Sequence, residues 1–343
     1  MNTTLYQSPE AFSTLASEWN ALLHRTASDV PFLTVEWQRT WWQHFGNDNP
    51  LLVYVFRDEA SALCGIAPLF LANESGQRQL HTVGCADICD YLDLIVAPDC
   101  EQAVFAALLD ALSSPATEGG SAWDAIDLCN IPEASRTPQV LETLAQARGW
   151  RVEKTIQEVC PLIHLPATWE DYLALLDKKE RHELRRKMRR AEQSEESVQL
   201  YITEGFDTLD ADLDAFITLL VVSRPDKASF MSDQMRAFFH AAGHVAQRAG
   251  WLQLAFLRVG GVNAAAYMNF DYAGRIMVYN SGLDPKNFQW LSPGIVLMGK
   301  LIQQAIEQQR AVFDFLRGNE DYKYRLGGKD THVYRLLLER QAL

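Results

Sequence analysis

Side chains able to move a proton or hold an anion stand close together in DFLRGNEDYK, among them Asp314, Arg317, Glu320, Tyr322 and Lys323. A carboxylate can take a proton from a nucleophile, and a tyrosine or lysine can return one to a leaving group. Asp314 and Glu320 are therefore candidates for a base or a substrate anchor, Tyr322 for an acid, and Arg317 and Lys323 for contacts to anionic groups. The same residues can instead lock a turn as an ion-pair network. Upstream, Ser292-Pro293-Gly294 has the form of a helix start: a capping hydroxyl, proline at the first helical position, then glycine. The amides and positive dipole end of such a helix can hold a pyrophosphate, and Gly294 lets a ligand approach the backbone. A capped buried helix accounts for the same triplet.

A second constellation is cationic. In KKERHELRRKMRR, Arg181, Arg185 and Arg189 recur at every fourth residue, with His182, Arg186 and Arg190 as the adjoining row, opposite Leu184 and Met188. Arg185 and Arg186 are candidates for holding an anionic glycan, a nucleotide phosphate or an aminoacyl-tRNA end. A solvated helix face paired with acids is the alternative. Weaker signals lead nowhere. His240 and His244 are four apart but lack a neighbouring carboxylate motif, and Cys85 and Cys89, beside Asp87 and Asp90, lack the second cluster of a closed metal site. No metal is expected, and the six cysteines read as reduced, buried or idle thiols. Nucleophile-elbow, dinucleotide and P-loop motifs are absent from the sequence.

The elements that must position these residues are readable from periodicity. Residues 251–259, 261–271 and 275–284 predict three successive strands, joined by hairpins at Gly260-Gly261 and Ala273-Gly274, where positive φ is needed. Tyr279, Asn280, Ser281 and Gly282 close the third. A helix over 292–309, a buried strand over 311–316, a short polar helix and a last strand over 331–339 follow. Before the meander come one long helix over 168–195, a strand over 198–203, and helices over 209–222 and 232–248. The first half predicts helices over 9–24 and 35–45, strands from Leu51 and Ala62 and near Val83 and Val96, then helix 101–112, strand 125–128, helix 138–148 and a strand from Arg151. Trp37, Trp41 and Phe45 recur on one face of the second helix and are expected to pack on a sheet. LIHLPATWEDY reads as the passage between halves.

Length and composition agree with two domains. The chain has 343 residues, 48% hydrophobic and 22% charged, which suits two globular units placed here at 1–165 and 166–343. No apolar run approaches the roughly 20 residues of a membrane span, and the amino terminus has no signal-peptide pattern, so a cytoplasmic location is expected. The net charge of −13 opposes broad nucleic-acid binding.

This element order, repeated approximately in each half, resembles the GNAT acyltransferase fold. Residues 292–328, together with FLTVEWQRTWWQHFG and LRRKMRR, resemble the GNAT subgroup related to the Fem peptidyltransferases, which includes proteins linked to cellulose and other polysaccharide pathways. The resemblance implies an α/β class (α+β mixed sheet) of two tandem GNAT-like domains, each a mostly antiparallel mixed sheet flanked by helices, the first degenerate. It implies an acyltransferase using acetyl-CoA or another acyl-CoA, acting on a small amine, amino sugar or polysaccharide precursor. An aminoacyl-tRNA donor and a non-catalytic accessory role are the alternatives. The usual GNAT phosphate loop is missing: NFQWLSPG stands there.

In that fold the strand AVFDFL diverges from its neighbour, so a backbone amide near Ser281 or Gly282 would bond the thioester carbonyl, with Ser292 and Gly294 on the phosphates and Tyr279 lining the acceptor side. Attack by an amine of pKa about 10.4 requires deprotonation worth roughly 4–5 kcal/mol at neutral pH, which a carboxylate or water chain must supply.

Overall fold

The computed structural model describes residues 1–74, 76–85, 88–113 and 123–340. The chain forms two compact units, residues 1–159 with 332–343, and residues 160–331.

The first unit begins with a strand not anticipated from sequence, β1 (Asn2–Tyr6), followed by α1 (Glu10–Thr14), α2 (Ala16–Leu23) and α3 (Val35–Phe45). The helix expected over 9–24 is thus two helices, because Leu15 acts as C-cap of one and N-cap of the next. Strands β2 (Leu51–Arg57), β3 (Leu63–Glu74), β4 (Gln77–Thr82) and β5 (Ile95–Val96) lead to α4 (Glu101–Ser113), β6 (Ala125–Pro132), α5 (Thr137–Gln146) and β7 (Arg151–His164). The expected aromatic face packs on the sheet: Trp41 lies 5.5 Å from Phe70 of β3, and Trp37 is fully buried. Cys85 and Cys129 are joined as a disulfide with Cα atoms 6.3 Å apart, which corrects the reading of idle thiols. Cys89 sits apart from that bond, its sulfur 3.2 Å from the Trp37 indole nitrogen, and Asp87 lies outside the described residues.

The second unit takes the end of β7 and adds α6 (Trp169–Leu175), α7 (Lys178–Glu192), β8 (Val198–Ile202), α8 (Leu209–Ser223), α9 (Pro225–Phe230) and α10 (Asp233–Ala249). The meander β9 (Leu252–Val259), β10 (Val262–Tyr272) and β11 (Arg275–Leu283) precedes α11 (Pro293–Glu307), β12 (Val312–Asp314) and α12 (Asp321–Arg325). The final strand, β13 (Lys329–Glu339), pairs antiparallel with β6 and completes the first unit's order β1-β2-β3-β4-β6-β13, where Arg335 grips Asp127 through two 2.7 Å hydrogen bonds. That sheet is antiparallel except for β4 beside β6, with β5 on β3. Within the second unit the strand order is β7-β12-β11-β10-β9-β8, antiparallel except for β11 beside β12.

Two boundaries differ from expectation for local reasons. The single helix over 168–195 is two, because Thr168 and Asp177 each cap a fresh start by accepting from the amide three residues on, with Leu176 extended between them. The passage LIHLPATWEDY begins as strand, since Leu162, Ile163 and His164 pair with β12. The hairpin glycines behave as expected: Gly260 and Gly261 have φ 57° and 85°, and Ala273 and Gly274 have 48° and 75°.

Helices α7 and α11 cover one face of the second unit's strands. Leu184 and Met188 pack with Val296, Leu297 and Leu301 over Ala265, Tyr267, Ile276 and Val278. Gly299 makes the crossing close, for a Cβ there would meet Leu184 at 3.1 Å and Met188 at 3.2 Å. The opposite face lies under α8 and α10, with Phe239 stacked 5.7 Å from Tyr279. There α8 approaches β11 so closely that a Cβ on Gly282 would meet the Leu220 nitrogen at 2.3 Å and the Leu219 carbonyl carbon at 2.4 Å. Main chain cannot swing aside, so Gly282→Ala should destabilise by about 1–3 kcal/mol or more. Gly294→Ala, whose Cβ would find neighbours only at 3.6 Å, should be neutral or stabilising by up to about 1 kcal/mol. Urea midpoints of the two variants test the contrast.

Candidate functional site

Strands β11 and β12 are partners over only three pairs, Arg275↔Val312, Ile276↔Phe313 and Met277↔Asp314. Beyond them β11 continues beside β10 to Leu283, while the chain leaves β12, so a gap opens next to residues 278–283. The direction of the main-chain groups there follows from ladder alternation. Asp284 N–H donates to Ala264 O, so Gly282 and Ala266, two residues back on each strand, form the next hydrogen-bonded pair. Ser281 and Leu283 occupy the intervening positions, and their N–H and C=O point away from β10, into the gap. A register shift at Met268/Asn269 leaves Tyr279 as the extra residue of a bulge, turned toward Phe239 and Phe270. Tyr279 therefore spends its ring in the α10 layer.

The chain leaves β12 through a left-handed turn, Leu316 at φ 56° and Gly318 at 111°. Asp314, 1% exposed, accepts from the Leu316 N–H at 2.8 Å. The Lys323 ammonium is buried and donates to the carbonyls of Leu316, Arg317 and Gly318 at 3.2, 2.6 and 3.1 Å, and pairs with Glu320 at 2.9 Å. Its donors are thus committed inside the turn that also carries Arg317. A Cβ on Gly318 would fall 2.5 Å from the Glu320 carboxylate.

Glu320 is half exposed and faces two phenols, the buried Tyr267 on β10 and the partly buried Tyr322 on α12. Burial pushes the Tyr267 hydroxyl up, and the charge of Glu320 adds to it. Burial likewise pushes Tyr322 well up, with Tyr267 and Glu320 adding in the same direction, so both phenols keep their protons at neutral pH. The Tyr267 hydroxyl reaches the first turn of α11, since a Cβ on Gly294 would lie 3.6 Å from it. The Ser292 hydroxyl does not cap that helix: the residue sits in the left-handed region, φ 54° and ψ 58°, and makes no side-chain cap hydrogen bond, which corrects the expected cap. Its carbonyl instead accepts from Ile295 and Val296 at 3.0 and 3.1 Å. Pro293 has no N–H, so among the described residues Gly294 holds the one amide of this turn without an acceptor.

The cationic face of α7 borders the same helix end. His182, Arg185, Arg186, Arg189, Arg190 and Trp290 line an open cleft of about 830 Å³, and the Arg190 guanidinium donates to the Trp290 carbonyl, two residues before Ser292. A smaller cleft of about 250 Å³ runs past Lys179, Lys187 and Ile295 to Tyr322. Arg185 and Arg186 are paired with Glu170 at 2.5 Å and Glu183 at 2.8 Å, in partly exposed geometry where such pairs contribute little. His240 and His244 contact Asp214 and Asp210 at 3.1 and 2.7 Å, and among the described residues no group of three or more ligating side chains is placed to hold a metal.

Sequence reasoning missed Tyr267 and Lys227. Tyr267 is a phenol flanked by small or apolar residues in AAAYM, a signal that alternation could have supplied. Lys227, whose ammonium donates to Ser281 O, stands alone in RPDKAS and carries no local signal.

Residues 178–324 match the family model described as acetyltransferase (GNAT) domain. A crystal structure of FemX is similar over 98% of this chain and 97% of its own, at 10% identity and a TM-score of 0.69. A conserved protein of unknown function from Bacteroides thetaiotaomicron is similar over 99% and 100%, at 12% and 0.63. The L-PGS of Bacillus licheniformis is similar over 98% and 94%, at 14% and 0.56. No curated protein matches the sequence. The fold is GNAT-like, a mixed α/β architecture of two tandem units. Among the described residues no helix is long and apolar enough to cross a membrane.

Lys323 holds the lower lip of the gap, so Lys323→Met should strand three carbonyls and cost roughly 3 kcal/mol or more of stability. Chemical denaturation measures this, and a variant as stable as the unaltered protein would sink the assignment.

Proposed function

We propose that this chain transfers an acyl group from a CoA thioester to an amine or hydroxyl of a small polar acceptor or polysaccharide precursor. The observation that carries the reading is the parting of β11 and β12 after Met277 and Asp314, which leaves the Ser281 main chain turned into an open gap. A donor lying in that gap would place its carbonyl against an outward N–H and its phosphates toward Gly294 and the basic face of α7. Glu320 is the better placed base of the two carboxylates, because Asp314 is buried and holds the turn. Tyr322, kept protonated by burial, offers its O–H as a hydrogen bond to the leaving sulfur.

One observation favours a second donor, an aminoacyl-tRNA. Trp290 is 45% exposed beside the arginines of α7, the pairing of aromatic surface and cations that suits a nucleobase and its phosphates. A third reading, an accessory protein without catalysis, has the bare start of α11 in its favour.

Titration of acetyl-CoA and longer acyl-CoAs should raise thermal stability, with a ligand at 100 times its dissociation constant adding about 2.7 kcal/mol. Tyr322→Phe should lower kcat by about 10²-fold or more while donor affinity stays. Absence of any acyl-CoA binding would turn the choice to tRNA, whose affinity should fall steeply with salt and less steeply in an Arg189→Ala, Arg190→Ala variant. If neither donor binds, the non-catalytic reading stands.

A further inference from the structure

The upper lip of the gap is held by a lysine from the opposite side. Lys227 on α9 points its ammonium inward, donating to the Ser281 carbonyl at 2.5 Å and lying 3.4 Å from the Ser281 hydroxyl. Lysine heads normally reach for water while the stem covers apolar surface. A single strand carbonyl beside an open gap can be hydrated by water, so it gives no reason to bury a charge. The charged groups near Lys227 are Arg224 and Asp226 of its own segment and Glu320 across the gap. Arg224 and Asp226 are engaged with each other at 3.0 Å, and Glu320 with Lys323. Burial, then Arg224, moves the Lys227 ammonium below the ordinary lysine range.

The neighbouring donor matters most. Because Ser281 occupies a non-hydrogen-bonded position against β10, its N–H and C=O leave the strand on the same side. The ammonium anchored on that carbonyl therefore stands beside the outward N–H, and the lysine has a third donor beyond the two directed at Ser281. Two donors, one of them charged, converge on the open side of β11.

We propose that Lys227 is a catalytic residue of the acyl transfer, its ammonium and the Ser281 N–H together receiving the oxygen of the tetrahedral intermediate. This rests on the gap being the acyl-transfer site. The acceptor nitrogen or oxygen forms a bond to the acyl carbon, and the carbonyl π pair moves onto oxygen, where the two donors hold it. When the carbonyl re-forms, the bond to sulfur (or to the ribose oxygen of an aminoacyl ester) breaks, and the leaving group takes up a proton equivalent to the one the acceptor loses. No oxidant or further reactant is needed. Lys227 keeps its own proton throughout.

Single-turnover and steady-state rates of the full chain test this, using acyl-CoAs and aminoacyl-tRNA as donors with a panel of amines and amino sugars. Lys227→Met and Lys227→Gln should each lower kcat by about 10²–10³-fold, the cost of losing one oxyanion donor, while donor KM changes little. Lys227→Arg should recover part of the rate. Thermal melts report folding, and Lys227→Gln, which keeps a hydrogen-bond donor, decides the matter if Lys227→Met fails to fold. A folded Lys227→Gln with undiminished kcat, or a loss confined to KM, overturns the assignment and leaves the transferase reading intact. If the unaltered protein transfers no acyl group from either donor class, both fall together.

Discussion

Strand β12 ends after three residues because its next carbonyls turn in on an ammonium instead of outward to β11. Leu316, Arg317 and Gly318 all give their carbonyls to Lys323, and Leu316 takes a left-handed conformation to do so. A parallel strand with unpaired edge groups would otherwise tend to zip further along its neighbour, as edges do. Lysine suits the task because its three rotatable donors can collect several carbonyls at once, whereas a guanidinium presents a fixed planar fork. On the facing lip Lys227 does the same for Ser281. Three carbonyls of one lip and one of the other are thus satisfied by side chains instead of by the facing strand, while the Ser281 N–H and the Leu283 main chain stay turned into the gap.

The local signals were legible where the physics is local. Gly260-Gly261 and Ala273-Gly274 predict two hairpins because positive φ belongs to the residues themselves, and the observed angles agree. The apolar stripe of α11 likewise needs only its own 3.6-residue period. Expectations failed where a choice depended on a competitor. Ser292 has the type of an N-cap, but the preceding turn at Gln289–Leu291 drives it left-handed, and its carbonyl serves the helix instead of its hydroxyl. Asp177 outcompetes continuation of the helix from Thr168, although the apolar spacing runs across the break.

The candidate site divides in the same way. DFLRGNEDYK gathers acid, base and cation types, and the structure arranges them unequally: Asp314 and Lys323 are consumed in shaping the turn, while Glu320 stays half exposed and Tyr322 lines the cleft along α7. Nothing in residue type distinguishes a lysine that binds carbonyls from one that binds phosphate. That distinction lies in φ at Leu316 and Gly318. Lys227 and Tyr267 reach the site through pairings 54 and 14 residues away in sequence, Lys227 to Ser281 and Tyr267 to Ser281, separations that no motif window spans. The Cys85–Cys129 disulfide, 44 residues apart, escapes spacing rules for the same reason.

The bare start of α11 and the crowded face of α7 are two parts of one electrostatic solution. A helix start with several available amides can hold phosphate largely through backbone donors, which are preorganised and independent of pH. Here Pro293 removes one amide and the Ser292 carbonyl occupies two, so the dipole remains while most of its hydrogen-bonding capacity is withdrawn. Helix α7, docked on α11 through Gly299, brings Arg189 and Arg190 to that end by side-chain reach. Guanidinium groups bind phosphate through charge and a planar fork but must lose rotamer freedom to do so, and their attraction weakens as salt rises. Arg190 on the Trp290 carbonyl, like Lys323 and Lys227 on theirs, is a flexible cation that does what main-chain pairing would do in a regular sheet or helix.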